Sequence, residues 1–321
     1  MSFFRRVEDE KRDKGCAVAH RGGPRHSLRH GNDTGVKLVT YNIQFGRGKD
    51  DRFDLARIAK AVEGADVIAM QEVERFWKRS GMVDQVAELT RLLPGYHWVY
   101  GPGLDLDGGV GPDAPHRRKQ FGNLLLARTP ILSARNHLLP KIGLLEQLSM
   151  QRAALEGVIE CAGGPVRFYS VHLAHVSSLE RRRQVARLRE ILGSAAGEGG
   201  AWSGGGDPRD WAGEGPPPPM PGEAIALGDF NMEPDSPEYE MMAGPVTERY
   251  GRVTPIDGFA DAWLAAGNDP GGGLTWPRAD GHLRVDYVFV GAMLADRVRG
   301  VHVDSEAQGS DHQPLWVDID L

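Results

Sequence analysis

At 321 residues, with 40% hydrophobic and 26% charged residues, the chain is long enough for one sizeable core, and its composition excludes wholesale disorder, a collagen-like rod or a coiled coil. The formal charge of −6 gives no overall attraction to nucleic acid, although it leaves room for a local basic groove. No stretch reaches the ~18 apolar residues of a membrane span, and Met1-Ser2-Phe3-Phe4-Arg5-Arg6 runs into charged residues in place of an apolar leader, so a cytoplasmic protein is expected.

Residues 1–35 are polar and carry no apolar period, which predicts a flexible arm outside the core. Cys16 in that arm and Cys161 beside a Gly-Gly turn are too few for a disulfide framework or a cysteine-based zinc site, and a reducing compartment fits. A domain over 36–321 should follow. Residues 37–41 alternate as a strand, 55–62 have helical spacing and 66–70 read as a buried strand, which makes a strand-helix-strand unit. A helix over 82–93 is stopped by Pro94-Gly95 before a strand at 97–100. Residues 101–115, rich in Gly, Pro and Asp, read as a loop leading into the basic cluster His116-Arg117-Arg118-Lys119 and a strand at 121–126. Strands at 152–159 and 166–173 precede a charged amphipathic helix over 179–192. Over 193–222, 16 of 30 residues are Gly or Pro, so this stretch is expected to be a flexible insertion without a core of its own. Trp202 and Trp211 within it, and Trp276 before Pro277, read as linker or turn aromatics, with base stacking as the alternative. A buried strand at 224–227, a helix over 237–242 and strands at 285–290, 302–304 and 315–319 complete the chain.

Helices alternate with strands early and strands follow strands late, which suits an α/β (α+β) arrangement of sheets packed face to face under outer helices. Polar residues that end apolar strands then gather on one edge. Asp311-His312 stands on the turn before a strand, and adjacent side chains there serve one site only if the backbone bends. Hydrolysis of a phosphate ester needs a divalent cation, a base for water and donors for the anion. Glu72 and Asp311 are hard oxygen ligands of the kind that Mg2+ or Mn2+ takes, while Asn42, Asp229 and Asn231 add oxygen ligands or hydrogen bonds. His312 is the candidate base, and Asp286 the carboxylate that would fix its tautomer.

The ordered set Tyr41-Asn42-Ile43, Gln71-Glu72-Val73, Val171-His172-Leu173, Gly228-Asp229-Phe230-Asn231, Arg284-Val285-Asp286-Tyr287 and Gly309-Ser310-Asp311-His312-Gln313-Pro314 resembles the endonuclease/exonuclease/phosphatase superfamily, in its deoxyribonuclease and sphingomyelinase branch. The resemblance implies a four-layer α/β sandwich with two packed mixed β-sheets flanked by helices, and magnesium-dependent hydrolysis of phosphate esters. It further implies that Glu72 holds the metal with support from Asn42 and Asp311, and that Asp229 orients the attacking water. Asn231 and His172 would contact the phosphate, and His312 paired with Asp286 would serve as acid or base. Phe121-Gly122-Asn123 and Gln151-Arg152-Ala153 match more loosely, so Asn123 is taken as a phosphate contact while Arg152 stays open between the site and the surface. His175 reads as a solvent-facing loop histidine.

The expected activity is that of a Mg2+-dependent phosphodiesterase on a phosphodiester or phosphomonoester substrate, with a DNA or RNA nuclease as the alternative. One short basic run, 117–119, against a negative whole favours a substrate with a single phosphate over duplex DNA. A non-catalytic scaffold gripped through its Pro-rich insertion is the reading from another class, and the intact ligand set argues against it.

Overall fold

Strand β1 (Gly35–Asn42) is buried on both faces from Leu38 onward, so each side of its sheet must carry a packed layer. The chain, in a computed structural model, is described over residues 34–109, 117–207, 209, 215–278 and 281–321. Residues 1–33 of the expected arm, His116 and Trp211 lie outside the described residues, while Gly35, the arm's expected last residue, already belongs to β1. In chain order the next strands are β2 (Val67–Arg75), β3 (His97–Asp107), β4 (Arg118–Ala127), β5 (Ile131–Leu138), β6 (Ala153–Ile159), β7 (Val166–His172) and β8 (Ala224–Asp229). Then come β9 (Val246–Thr247), β10 (Gly251–Arg252), β11 (Phe259–Asp261), β12 (Trp276–Arg278), β13 (Gly281–Leu283), β14 (Asp286–Gly291), β15 (Val298–Val303) and β16 (Leu315–Asp320). Two six-stranded sheets form, ordered β15-β16-β1-β2-β4-β3 and β11-β14-β8-β7-β6-β5, while β9-β10 and β12-β13 pair as separate ribbons. Both sheets are mixed, with β1 parallel to β2 and β7 parallel to β8.

Alternation assigns each face. Leu38, Val67, Ala69 and Leu125 of the first sheet meet Leu155, Phe168, Ile225, Leu227 and Val288 of the second between the sheets. The opposite face of the first sheet, with Val39, Ile68 and Met70, packs on Ile58 of α1 (Leu55–Ala61) and on Val86 and Leu89 of α2 (Gln85–Leu92). The opposite face of the second, with Tyr169, Val171, Ala226 and Phe289, packs on α3 (Ser178–Glu198) and α4 (Pro237–Ala243). Each buried side chain of this size is worth roughly 1.5–3 kcal/mol, so the three apolar layers together set the four-layer sandwich that the motifs implied. Helix starts are capped by Asp54, Asp84, Ser177 and Ser236, whose side chains accept backbone N–H bonds of the first turn. A one-turn helix, α5 (Ala262–Ala265), supports the second sheet's edge. Among the described residues no helix is long and apolar enough to cross a membrane.

Besides the short elements β9–β13 and α5, which were not expected, and β15, which starts at Val298 and not at 302, three elements differ from expectation. The loop expected from residue 101 is strand as far as Asp107, because β4 reaches back to Arg118 and pairs with it across bulged ground between Pro102 and Leu104. Strand β5 was not foreseen, since its apolar members are few and it alternates half-buried with exposed at the sheet's edge. Helix α3 continues to Glu198 and buries Ala195, so the expected insertion at 193–222 gives up its first six residues to the helix. Gly193 and Gly197 cost that helix about 1 kcal/mol each relative to alanine, which the packing of its buried stripe outweighs. The helix ends at Gly199 in the left-handed conformation.

Buried Arg167 of β7 holds both flanks of the segment that follows. Its guanidinium donates to Leu192 O in α3 at 3.0 Å, to Pro221 O and Gly222 O at 2.7 Å each, and to Tyr169 Oη at 2.8 Å.

Gly228 in β8 is a packing requirement. A Cβ at this position would lie 1.9 Å from the carbonyl oxygen of Val171 on the neighbouring strand, in a backbone with φ +155°. Gly228→Ala is therefore expected to cost ~3 kcal/mol or more, because the obstacle is backbone and not a side chain that can turn away. Thermal unfolding followed by circular dichroism checks this, and an unchanged midpoint would contradict it.

Candidate active site

The face that carries Phe168, Leu227 and Val288 between the sheets becomes polar at one end. Register places His172 of β7 opposite Asp229 of β8, and Asp229 opposite Asp286 of β14, so all three share that face. Asn42, two residues beyond Thr40 on β1, faces them from the first sheet. Below this row the sheets are joined by buried polar contacts: Thr40 Oγ1 donates to Gln71 Oε1 (3.3 Å), and Gln71 Nε2 to Ser170 Oγ (3.1 Å). Every buried donor in this belt has a partner, which is what allows polar groups to stand within an apolar layer.

Asp229 is the hub. Its carboxylate accepts from Asn42 Nδ2 (2.9 Å), Asn231 N (2.9 Å) and Asn231 Nδ2 (3.1 Å), and lies 3.4 Å from His172 Nε2 and 3.9 Å from His312 Nε2. The bend required at Asp311-His312 comes from Ser310, whose hydroxyl donates to Asn42 O (2.7 Å) and accepts from His312 N (3.2 Å). His312 Nδ1 then lies 2.8 Å from Asp286 Oδ2, the expected pairing. Asp311 Oδ2 accepts from Gln44 Nε2 (3.0 Å) and Trp276 Nε1 (3.2 Å). Trp276, read as a turn aromatic, thus belongs to β12 and lines the cleft. Glu72 sits where β2 shifts register between Met70 and Val73, with φ +62°, and this bulge turns its carboxylate toward the cleft beside Asn42 Nδ2 (3.3 Å). Gln44, Phe45 and Asn231 also hold positive φ values, so four non-glycine residues at this one cleft are in a disfavoured conformation.

The cleft has a volume of about 300 Å3 and brings together Glu72, His172, Asp229, Asn231, Asp311 and His312. Asp286 stands behind His312. Two expected phosphate contacts are placed differently. Asn123 Nδ2 donates to Ala153 O and Ser170 O, both at 2.9 Å, so Asn123 joins the sheets and its amide N–H groups are not free for an anion. Asn231 Nδ2 is committed to Asp229 and to Leu173 O (3.1 Å), so this residue steers Asp229. Arg152, left open by the sequence, is buried at the cleft with Nη1 2.8 Å from His172 Nε2 and Nη2 3.0 Å from His175 Nδ1. The loop histidine therefore faces this arginine and lines the cleft. Phe45, Arg79 and Met150 also line the cleft. Their sequence contexts carry no signal, since Phe45 sits in a single 3-10 turn and Arg79 and Met150 in connections between elements, and all three reach the cleft by packing over long sequence separations.

The two histidines carry opposite protonation states. Burial depresses the pKa of His312, but Asp286, by charge and by hydrogen bond, together with Asp229 and Asp311, outweighs it and raises the value to about 10. His172 is held well below the ordinary histidine range by burial, and then by the positive charges of Arg152 and His312. Burial pushes the carboxyls of Glu72 and Asp229 upward, against the pull of Arg152 and His312 on the first and of His312 on the second.

Residues 39–312 match the Endonuclease/Exonuclease/phosphatase family. Among curated proteins none matches this sequence. Similar solved structures include an endonuclease/exonuclease/phosphatase from Bacteroides vulgatus, 19% identical, with a TM-score of 0.61 over 89% of this chain and 99% of that one. One from Beutenbergia cavernae is 21% identical, with a TM-score of 0.59 over 89% of this chain and 72% of the other. A mannosyl-6-phosphatase from Bacteroides thetaiotaomicron is 17% identical, with a TM-score of 0.56 over 88% and 98%. At these identities the likeness is one of fold.

Because the Asp286 carboxylate is the largest influence holding the proton on His312, Asp286→Asn should lower the His312 pKa by at least ~1 unit, equivalent to ~1.4 kcal/mol. Imidazole NMR shifts followed across pH report it directly. A titration that does not move would detach Asp286 from His312.

Proposed function

The chain belongs to the endonuclease/exonuclease/phosphatase family, and we propose that it is a divalent-metal-dependent phosphoester hydrolase acting foremost on phosphodiesters. The observation that carries this reading is one cleft holding a protonated His312 on Asp286, a buried carboxylate at Asp229 with elevated basicity, and the buried guanidinium of Arg152. An acid, a base and an anion holder are the three protein-borne parts of such a reaction.

Arg152 would bind the non-bridging oxygens of the phosphate, since no carboxylate lies within ion-pairing distance of it among the described residues and its planar fork matches an oxyanion. Neutral His172, seated against Arg152, would add a hydrogen bond to the same group. Asp229, held by Asn42 and Asn231, would accept a proton from the attacking water. His312 would donate its Nε2 proton to the departing oxygen, and Asp286 would stabilise the imidazolium until that moment.

The donor chemistry fits a hard cation. Glu72, Asp229, Asp286 and Asp311 are gathered here against Arg152 and His312, since the third cation at the cleft, Arg79, is paired with Glu74, and burial pushes the Glu72 carboxyl upward despite the pull of Arg152 and His312. Asp229, Asp286 and His312 form one possible ligand cluster, with ligand atoms within 4.8 Å of one another. The 2.8 Å hydrogen bond within that cluster occupies Asp286 and His312, however, so Glu72 and Asp311, with Asn42 orienting Glu72, are the residues that would hold Mg2+ or Mn2+. When bound, such an ion neutralises charge on the phosphate oxygens.

Glu72→Gln keeps the shape and loses the charge, and it should nearly abolish hydrolysis of bis-p-nitrophenyl phosphate while leaving the thermal midpoint close to that of the unchanged protein. His312→Ala should lower turnover roughly 10²- to 10⁴-fold, as for a lost general acid. Full activity in excess chelator would exclude the metal-dependent reading, and p-nitrophenyl phosphate run alongside separates diesterase from monoesterase.

A further inference from the structure

The basic run 117–119 is sorted by the strand it enters. Arg118 turns to one face of β4 and pairs with Asp105 at 2.9 Å. Lys119 takes the other face, which it shares with Phe121, and Phe121 lines the cleft with its ring 6.3 Å from that of His172. The strand partners of Lys119 and Phe121 on β3 are Leu106 and Leu104, so no acid opposes them from that side.

Aromatic rings fix these cations in place. Arg79, itself at the cleft, lies 4.0 Å over Phe45, 5.2 Å over Trp77 and 5.8 Å over Phe121. Lys119 Nζ lies 4.1 Å over the same Trp77, and the Arg117 guanidinium lies 5.2 Å over Phe76. Trp77 is tied in turn through Nε1 to Gln120 O at 2.7 Å. The charge of Arg79 is answered by buried Glu74, whereas Lys119 and Arg117 have no carboxylate within ion-pairing distance among the described residues. A cation held on a ring face is already ordered, so it loses less freedom on meeting an anion than a free surface lysine does.

We propose that Lys119 on Trp77 and Arg117 on Phe76 form a second anion subsite, which takes a further phosphate of the same substrate, beyond the one being cleaved. The proposal rests on the hydrolase reading above and reverses the expectation of a substrate with a single phosphate. Along β4, two residues span about 6.8 Å, so Lys119 stands one such step outside Phe121, and Arg117, just before the strand, lies further out still. Arg118 takes no part.

The test uses three probes: the p-nitrophenyl ester of thymidylate, the same ester with a phosphate added to its other hydroxyl, and a thymidine trinucleotide. Adding the second phosphate should lower KM on the order of tenfold, and the Lys119→Ala/Arg117→Ala double variant should remove that gain with kcat unchanged. The singly phosphorylated ester should not distinguish the variant from the parent, and Arg118→Ala should behave as the parent throughout. A gain with the bisphosphorylated ester assigns the subsite to small substrates as well, and a gain with the trinucleotide alone assigns it to single-stranded polynucleotide. Binding of a fluorescent trinucleotide in chelator gives a readout independent of catalysis. There the double variant should lose about 0.7 per phosphate contact from the slope of log K against log salt. Inactivity on all probes with this slope change intact would sink the hydrolase reading and keep the subsite. Normal hydrolysis with equal KM for the two esters and the trinucleotide, and an unchanged slope, would overturn the subsite alone.

Discussion

The register across β7, β8 and β14 is the constraint on which the cleft depends. Asp229 can touch Asn42 and approach both His172 and His312 only because it continues the face that carries Ile225 and Leu227 into the apolar layer between the sheets. A slip of one residue in any of these pairings would send the polar row under the helices and expose the core residues in exchange. The large apolar layer therefore does more than hold the sandwich together. It prevents the strands from sliding, and so it fixes the separation between acid and base.

The polar groups at the end of that layer are expensive to bury, and the molecule offsets this in two ways. Away from the cleft the belt is closed on itself, with Gln71, Ser170 and Asn123 satisfying one another or backbone carbonyls. At the cleft the balance is left incomplete: among the described residues Arg152 meets only imidazoles, and Glu72 only the amide of Asn42, within hydrogen-bond distance. Backbone at Gln44, Phe45, Glu72 and Asn231 is in a conformation that costs of order 1–3 kcal/mol per residue. Strain and unmet charge thus coincide at the same opening, which is the pattern of a surface shaped for a ligand and not for its own stability.

Much of this was legible in the sequence, for a physical reason. Asn42, His172 and Asp229 end apolar strands, Asp286 begins one, Asp311-His312 precedes one and Glu72 follows the apolar run of β2 at its bulge, and such positions are where a sheet edge collects polar side chains. What escaped detection depends on contacts between distant parts of the chain. Phe45 and Arg79 are 34 positions apart in the numbering, and neither has a periodic context, yet one ring and one guanidinium meet at 4.0 Å. Asn123 looked like a phosphate contact because it follows Phe121-Gly122 on a strand, but its position two residues below the cleft gives its amide to the opposite sheet. The basic run suggested a single patch, and only the strand alternation of β4 shows that its members face opposite ways.

Arg167 has a consequence for how the fold tolerates change. One guanidinium grips the chain on both sides of the Gly/Pro-rich segment, at Leu192 and at Pro221-Gly222, so the two exits are closed by the core itself and not by what runs between them. Those exits stand at the start of β8, whereas Asp229 stands at its end, about 17 Å away at the usual strand rise. The segment is thus a splice port: a foreign domain or an affinity handle grafted there would hang from a closed collar, on the side of the second sheet remote from the chemistry.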